Sequence, residues 1–175
     1  TNAKSEANIA IGSNTLDGNM AGANYNIALG YTALSAITSG KANIGIGGYA
    51  GAATTTAVNN IAIGTNDDTS LGALQTNTVG SYCIAIGTGA LGTANENDND
   101  GTVAIGQEAC AVQAGTGGAQ YANAMTAVGH KALKILTTGK MNTAVGYQAL
   151  DAVTTGNHNT AVGYLAGSTV GTDRT

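Results

Sequence analysis

The stretch that decides the fold is residues 142–150, which read NTAVGYQAL. Related stretches of nine residues begin at positions 8, 26, 43, 60, 83, 102, 125 and 159, and the fifth residue is Gly in all nine. The intervals between successive glycines are 18, 17, 17, 23, 19, 23, 17 and 17 residues. The chain is therefore a repeat of about 17 residues with insertions, and a fixed period of this kind is typical of a solenoid.

Each repeat has the alternation of a short strand. Its second residue is Ile, Val or Thr, its fourth is Ile, Leu or Val, and its third is Ala in eight copies and Gly45 in the other. Side chains alternate between the faces of a strand, so the second and fourth residues share one face. We predict that these larger residues fill the interior of the coil. The alanine face would then point outward and pack at short range against another surface.

The second half of the repeat predicts another short strand and a corner, as in residues 36–40 (AITSG), 135–139 (ILTTG) and 152–156 (AVTTG). Six of the nine copies begin with Asn, which predicts a ladder of stacked side-chain amides. The predicted fold is all-β: a parallel β-solenoid of nine coils of about 17 residues. Stacked at about 4.8 Å, these coils would form a rod of about 43 Å.

Composition excludes several classes of protein. There are 27 Gly, no Pro, Phe or Trp, and only 9% of residues are charged. Small apolar residues suit thin, closely packed layers. The net charge of −4 offers no basic surface for nucleic acid. No apolar run approaches the roughly 20 residues of a membrane span, so we expect no membrane insertion.

The repeats divide the chain into five segments. Residues 1–7 form an N-terminal lead-in, and residues 8–64 form regular coils. Residues 65–124 form coils with inserted loops, residues 125–170 form regular coils again, and residues 171–175 form a C-terminal tail.

An outward alanine face along the whole rod would exceed the apolar patches usual on monomers. Self-association would cover it, and three-fold symmetry would close the assembly around an axis. We therefore expect a homotrimer. The predicted interface consists of Ala10, Ala28, Gly45, Ala62, Ala85, Ala104, Ala127, Ala144 and Ala161.

The strings NIAIG and NTAVGYQAL resemble the repeats of trimeric β-roll heads in bacterial trimeric autotransporter adhesins. They are still more similar to the 17-residue repeats of phage and other viral tail-fibre proteins. The resemblance runs from residue 8 to about residue 170. It implies a left-handed parallel β-roll, a trimer, and a place on the surface of a virion or in the extracellular space.

The insertions are the candidates for specific recognition. Relative to the 17-residue coil, about six extra residues lie within 65–70, two within 92–101 and six within 111–124. One interpretation makes them loops that contact a host glycan or protein, because insertions in repeat proteins often lie on a binding face. The other is tolerated variation in loop length, which costs little. The candidate receptor-binding residues are Asn66, Asp67, Asp68, Asn97, Gln120 and Tyr121.

One insertion carries oxygen ligands at alternate positions, Glu96, Asp98 and Asp100, followed by Gly101. This spacing resembles the start of a calcium loop. The twelfth position is Gln107 instead of Glu, and no flanking helices are expected. A solvated acidic turn is the alternative, and no other cofactor is predicted.

The remaining reactive residues predict no enzyme. Cys83 and Cys110 are too few for a disulfide framework and are expected to be free, buried thiols. His130 occupies the position that holds Tyr in other copies, and His158 lies in a corner, so a metal site would need ligands from three chains. The tyrosines at the sixth position are expected to stack in a row.

The sequence thus predicts a structural segment of a trimeric phage or virus tail fibre, which spaces or presents a receptor-binding region and adjoins further fibre segments. The alternative is a cell-surface adhesin that binds host glycan or protein through the loops of residues 65–124. An ice-binding solenoid is less consistent, because the Thr pairs form no regular flat row. A carbohydrate-active β-helix enzyme would need longer coils and a carboxylate cluster in a groove.

Overall fold

The computed structural model describes residues 4–67, 70–93, 99–112 and 124–168. It contains nine strands of three residues, each within one repeat. In chain order they are β1 (Ile9–Ile11), β2 (Ile27–Leu29), β3 (Ile44–Ile46), β4 (Ile61–Ile63), β5 (Ile84–Ile86), β6 (Val103–Ile105), β7 (Thr126–Val128), β8 (Thr143–Val145) and β9 (Thr160–Val162).

The strands form one parallel sheet in sequence order, and equivalent residues of successive repeats pair directly. The registers across the insertions are the same as elsewhere: Ala62 pairs with Ala85, and Ala104 pairs with Ala127. The chain is therefore a parallel β-solenoid, as the repeat predicted, and its nine strands correspond to about eight turns.

The prediction of which strand face lies inside is wrong. Ala28, Ala62, Ala85, Ala104, Ala127 and Ala144 are at most 1% exposed and belong to the core of the single chain. Gly45 is buried as well. Ala10 is exposed and Ala161 half-buried, because their strands have a neighbour on one side only. The seven buried residues are therefore inside the single chain and cannot form an interface between chains.

The reason is the leucine at the ninth position of the repeat. Leu34, Leu91 and Leu133 are at most 1% exposed and cross the interior towards the sheet. A methyl group on Gly45 would lie 2.8 Å from Cγ of Leu34. The coil is thus too thin for an Ile layer opposite the Leu layer, and only Ala or Gly fits at the centre of the strand.

The second half of each coil is not a strand among the described residues. It consists of turns and bends that still stack by backbone hydrogen bonds, for example Leu34 N–H to the Ala50 carbonyl (3.0 Å) and Thr38 N–H to the Thr55 carbonyl (2.9 Å). The seventh and ninth residues take left-handed backbone conformations, with φ of 58° at Thr32 and 47° at Leu34. Such residues interrupt an extended strand and turn the chain.

The predicted amide ladder is confirmed. We call the side chains of Asn8, Asn26, Asn43, Asn60, Asn142 and Asn159 the Asn ladder. Asn43 shows the pattern. Its backbone N–H and its Nδ2 donate to Oδ1 of Asn26 (3.0 and 3.1 Å), its Nδ2 also donates to the Ala57 carbonyl (2.8 Å), and its Oδ1 accepts from the Asn60 N–H (3.1 Å). The Asn43 amide therefore joins three successive coils.

Candidate functional site

The outer face of the sheet is the first candidate site. The second and fourth residues of each repeat, which are the first and third residues of its strand, point away from the core along the sheet. They form two columns of Ile, Leu, Val and Thr, and we call this surface the Ile/Val face. Ile11 (59% exposed), Leu29 (42%), Ile105 (36%) and Val162 (70%) are its most exposed fourth-position residues.

The Ile/Val face changes along the solenoid. The second residue of the repeat is Ile in the repeats of β1 to β5, Val103 in that of β6, and Thr in those of β7 to β9. The fourth residue stays apolar in every strand. Parallel sheets are nearly always covered on both faces, whereas here the single chain covers only the inner one.

The second candidate site is a cavity of about 170 Å³ on the turn side of the solenoid. It is lined by Ser70, Leu71, Gly89, Gly92, Thr93, Glu108, Ala111, Val112 and Lys134. We call it the insertion cavity. Ser70 lies in the first insertion, Thr93 in the second and Val112 in the third. Coil stacking thus places described residues of three separate insertions around one cavity.

Ser70, Glu108 and Lys134 form the polar wall of the insertion cavity, and Lys131, which is outside the lining, is a second ion-pair partner of Glu108. Nζ of Lys134 lies 2.8 Å from Oε2 of Glu108, and Nζ of Lys131 lies 3.6 Å from the same oxygen. Oγ of Ser70 donates to Oε1 of Glu108 at 3.3 Å. The hydrogen bond from Lys134 lowers the pKa of Glu108 below its ordinary value, partial burial opposes this shift, and Lys131 adds to it. Glu108 is therefore an anion at neutral pH.

Two glycines open the insertion cavity. A methyl group on Gly89 would lie 3.2 Å from Cγ of Glu108 and 3.5 Å from Cβ of Ser70. A methyl group on Gly92 would lie 3.1 Å from Cβ of Leu71. Larger residues at these positions would fill the space between the ion pair and Leu71. Glu108, Lys131 and Lys134 were not among the residues predicted from the sequence. Glu108 and Lys131 hold the seventh positions of successive repeats and Lys134 holds the tenth, so their alignment in the repeat was a usable signal.

The predicted receptor-binding residues are only partly described. Asn66 is half-buried, and its Nδ2 donates to Oε1 of Gln75 at 3.1 Å. Asp67 is exposed, and its Oδ1 accepts from the Ser70 N–H at 2.6 Å. Both residues shape the first insertion next to the cavity but do not line it. Asp68, Asn97, Gln120 and Tyr121 lie outside the described residues.

The possible calcium ligands are likewise divided. Glu96 and Asp98 lie outside the described residues. Oδ1 of Asp100 accepts a hydrogen bond from the Ser81 N–H at 2.6 Å, which ties this carboxylate to the preceding coil. Within residues 4–67, 70–93, 99–112 and 124–168, no three His, Cys, Asp or Glu side chains come together as a metal site.

Both cysteines are free and buried, as predicted. Burial raises the pKa of Cys83 and of Cys110 to about 12, so neither thiol is a nucleophile near neutral pH. Sγ of Cys83 donates to the Asn99 carbonyl at 3.0 Å. In the Asn ladder the equivalent bond runs from Nδ2 to a carbonyl at the corner of the same coil, as from Asn43 to Ala57. The Cys83 thiol replaces that bond.

The predicted aromatic row is present near the C-terminal end. The ring of Tyr147 stacks between His130 (5.0 Å between ring centroids) and Tyr164 (5.3 Å). His158 is exposed in its corner, and its N–H donates to the Lys140 carbonyl at 3.0 Å. His130 is thus part of the stack, as expected for a residue in a Tyr position.

A larger hollow of about 380 Å³ lies at the last described coil, lined by Leu150, His158, Asn159 and the residues of β9 and its turn.

Comparisons with protein-family models, with curated proteins and with solved structures find no match. The part of the chain that the structure describes contains no helix with the length and apolar character of a membrane span.

Proposed function

We propose that the chain is a structural segment of a homotrimeric fibre on the surface of a virion or in the extracellular space, and that it spaces or presents a receptor-binding region. The observation that carries this proposal is the uncovered Ile/Val face. Its residues are arranged in two continuous columns, and an extended apolar surface of this kind marks an interface with another protein.

Copies of the same chain are the partners that fit the face. The face is as long as the sheet, so a partner must present an apolar column with the same spacing between rows. An identical chain does this by construction. Three copies around an axis would bury all three faces and leave none over, which gives a closed assembly. The left-handed parallel roll implied by the resemblance to tail-fibre repeats belongs to the same proposal.

The mass in solution tests this proposal, measured by light scattering during size exclusion. We expect about three times the 17.1 kDa of one chain. Replacing Ile46 in β3 by Asp should shift the mass to that of one chain, because three carboxylates would be buried near the axis. Ile135→Asp is the matched control, since Ile135 is 38% exposed but lies outside the strands. The solution mass of this variant should remain that of three chains.

A wild-type mass of one chain would refute self-association through the Ile/Val face. A mass of two chains would refute the three-fold arrangement. If Ile135→Asp dissociates as readily as Ile46→Asp, the interface lies elsewhere on the chain.

The second candidate function is adhesion through the insertions. One specific observation favours it: three insertions that are separate in sequence contribute residues to a single cavity beside a charged cluster. Tolerated variation in loop length does not require the extra residues to share one side of the solenoid. Binding sites are frequently built from loops held by a rigid scaffold, and the stacked coils are such a scaffold.

A further inference from the structure

We infer that the insertion cavity binds one carboxylated sugar unit of a glycan, with the sugar carboxylate on Lys134 and the ring on Leu71 and Val112. This inference rests on the second proposed function, adhesion through the insertions. It names the ligand class and the residues that would select it.

The size of the cavity sets the size of the ligand. Its volume is about 170 Å³, whereas drug-sized ligands occupy pockets of about 300 Å³ or more. A cavity of about 150 Å³ is known to hold one six-membered ring. One sugar ring is therefore the largest unit that the insertion cavity can enclose, and the rest of a glycan would extend into solvent.

The charge of the cluster sets the sign of the ligand. The whole chain has six Lys and Arg residues and a net charge of −4, yet two of the lysines converge on Glu108. One carboxylate neutralises one of these ammonium groups, so the cluster keeps a formal charge of +1. An anionic group on the ligand would neutralise this remaining positive charge.

The other lining groups fit a sugar better than a bare anion. Leu71, Ala111 and Val112 supply an apolar wall, against which the C–H groups of a pyranose ring can pack. The hydroxyl oxygens of Ser70 and Thr93 can accept from sugar hydroxyls, while their own protons are donated to Oε1 of Glu108 and to the Ala111 carbonyl. A small site that combines an apolar wall with a few polar groups is typical of ligand recognition.

The test is an NMR titration of the full chain with three probes: glucuronate, glucose and inorganic phosphate. We expect glucuronate to shift the resonances of residues around Glu108 and Lys134, and to bind at least about tenfold more tightly than glucose, because a charge-assisted hydrogen bond is lost with glucose. Phosphate should bind more weakly than glucuronate, because it has no ring to contact Leu71 and Val112. Equal binding of glucose and glucuronate, tighter binding of phosphate, or no binding of any probe would overturn the inference.

Two variants locate the site. Lys134→Gln should weaken glucuronate binding about tenfold, whereas Lys41→Gln removes the same charge from an exposed residue outside the cavity and should leave binding unchanged. Val112→Trp should abolish glucuronate binding by filling the cavity while both lysines remain. This variant tests the location of the site if Lys134→Gln fails to fold. Glucuronate binding that survives Val112→Trp would place the site elsewhere.

The solution mass and the glucuronate binding of the wild type together separate the fibre proposal from the sugar inference. If the wild type is trimeric and binds no glucuronate, the sugar inference fails and the fibre proposal stands. If it binds glucuronate as a single chain, the fibre proposal fails and the cavity inference stands.

Discussion

The coils at the two ends of the solenoid and the coils in its middle contribute to the same sheet but differ in the buried residues at the first repeat position. In the end coils, residues 8–64 and 142–168, the Asn ladder joins each coil to its neighbours through buried amides. In the middle coils the first repeat position holds Cys83, Thr102 and Met125. Oγ1 of Thr102 is buried there without a hydrogen-bond partner.

The strand register is nevertheless the same in both regions. The sheet and the column of glycines after each strand therefore maintain the stacking, and the Asn ladder adds stability where it is present. The middle coils, which lack the ladder, also carry the second and third insertions and Glu108, whereas the coil with the first insertion begins with Asn60 of the ladder. A local loss of the ladder is compatible with added residues as long as the glycine column continues.

The largest expected effect comes from breaking the glycine column, which both regions share. A methyl group on Gly87 would lie 2.6 Å from the Gly106 carbonyl oxygen, and one on Gly30 would lie 2.7 Å from the Gly47 carbonyl carbon. We expect Gly87→Ala and Gly30→Ala each to lower the free energy of unfolding by about 4 kcal/mol or more. Urea denaturation followed by circular dichroism measures this.

Gly163→Ala is the matched control for that experiment. Gly163 has the same kind of backbone conformation, with φ of 132°, but its added methyl would meet nothing nearer than Cβ of Ala166 at 3.9 Å. Only the backbone strain remains, so its cost should be about 2 kcal/mol. An equal loss in all three variants would show that conformation, and not close stacking, explains the column.

The next largest effect is a difference in the free energy of unfolding between substitutions at the first repeat position of the two regions. Asn43→Ala in an end coil removes the bonds to Asn26, Ala57 and Asn60 and leaves buried groups unpaired, at a cost of about 3 kcal/mol. Thr102→Val in a middle coil should instead be neutral or raise the free energy of unfolding by up to about 1 kcal/mol, because the hydroxyl it removes has no partner.

Both first-position variants are compared by the same urea denaturation, with Asn19→Ala as a control, since Asn19 is exposed and outside the ladder. The comparison of the two regions would be wrong if Thr102→Val destabilised the chain as much as Asn43→Ala.

The smallest effect is a pH dependence confined to the middle coils, which hold both cysteines. An unfolded thiol has a pKa of about 8.5, whereas burial raises the pKa of Cys83 and Cys110 to about 12. Below about pH 8.5 the thiols are protonated in both states. Above it only the unfolded chain releases their protons, so stability falls as the pH rises towards about 12.

Between pH 8 and pH 9 the two thiols together should lower the free energy of unfolding by about 1 kcal/mol. Denaturation of the wild type and of a Cys83→Ser, Cys110→Ala variant at both pH values isolates this effect. The same loss in the variant would assign the pH dependence to other groups.

Much of the fold was predictable because its signals are local and repeated. The invariant glycine gave the period, the three residues before it gave the strand, and the Asn that begins six repeats gave the amide ladder. Free, buried cysteines followed from their number and positions. The predicted second strand of each coil is wrong among the described residues, because the left-handed conformations that replace it, at residues such as Thr32 and Leu34, have no exclusive sequence signal.

The sequence by itself therefore determined a parallel β-solenoid with a period of about 17 residues and two unlike strand faces. Only the tertiary structure decided which face is inside. Alternation in a strand separates Ala62 from Ile61 and Ile63 but does not say which of them the coil encloses. That depends on the Leu side chain that crosses the interior from the other side of the coil, where it leaves room only for Ala or Gly. The insertion cavity has the same origin, because residues about 20 positions apart in the chain become neighbours only when the coils stack.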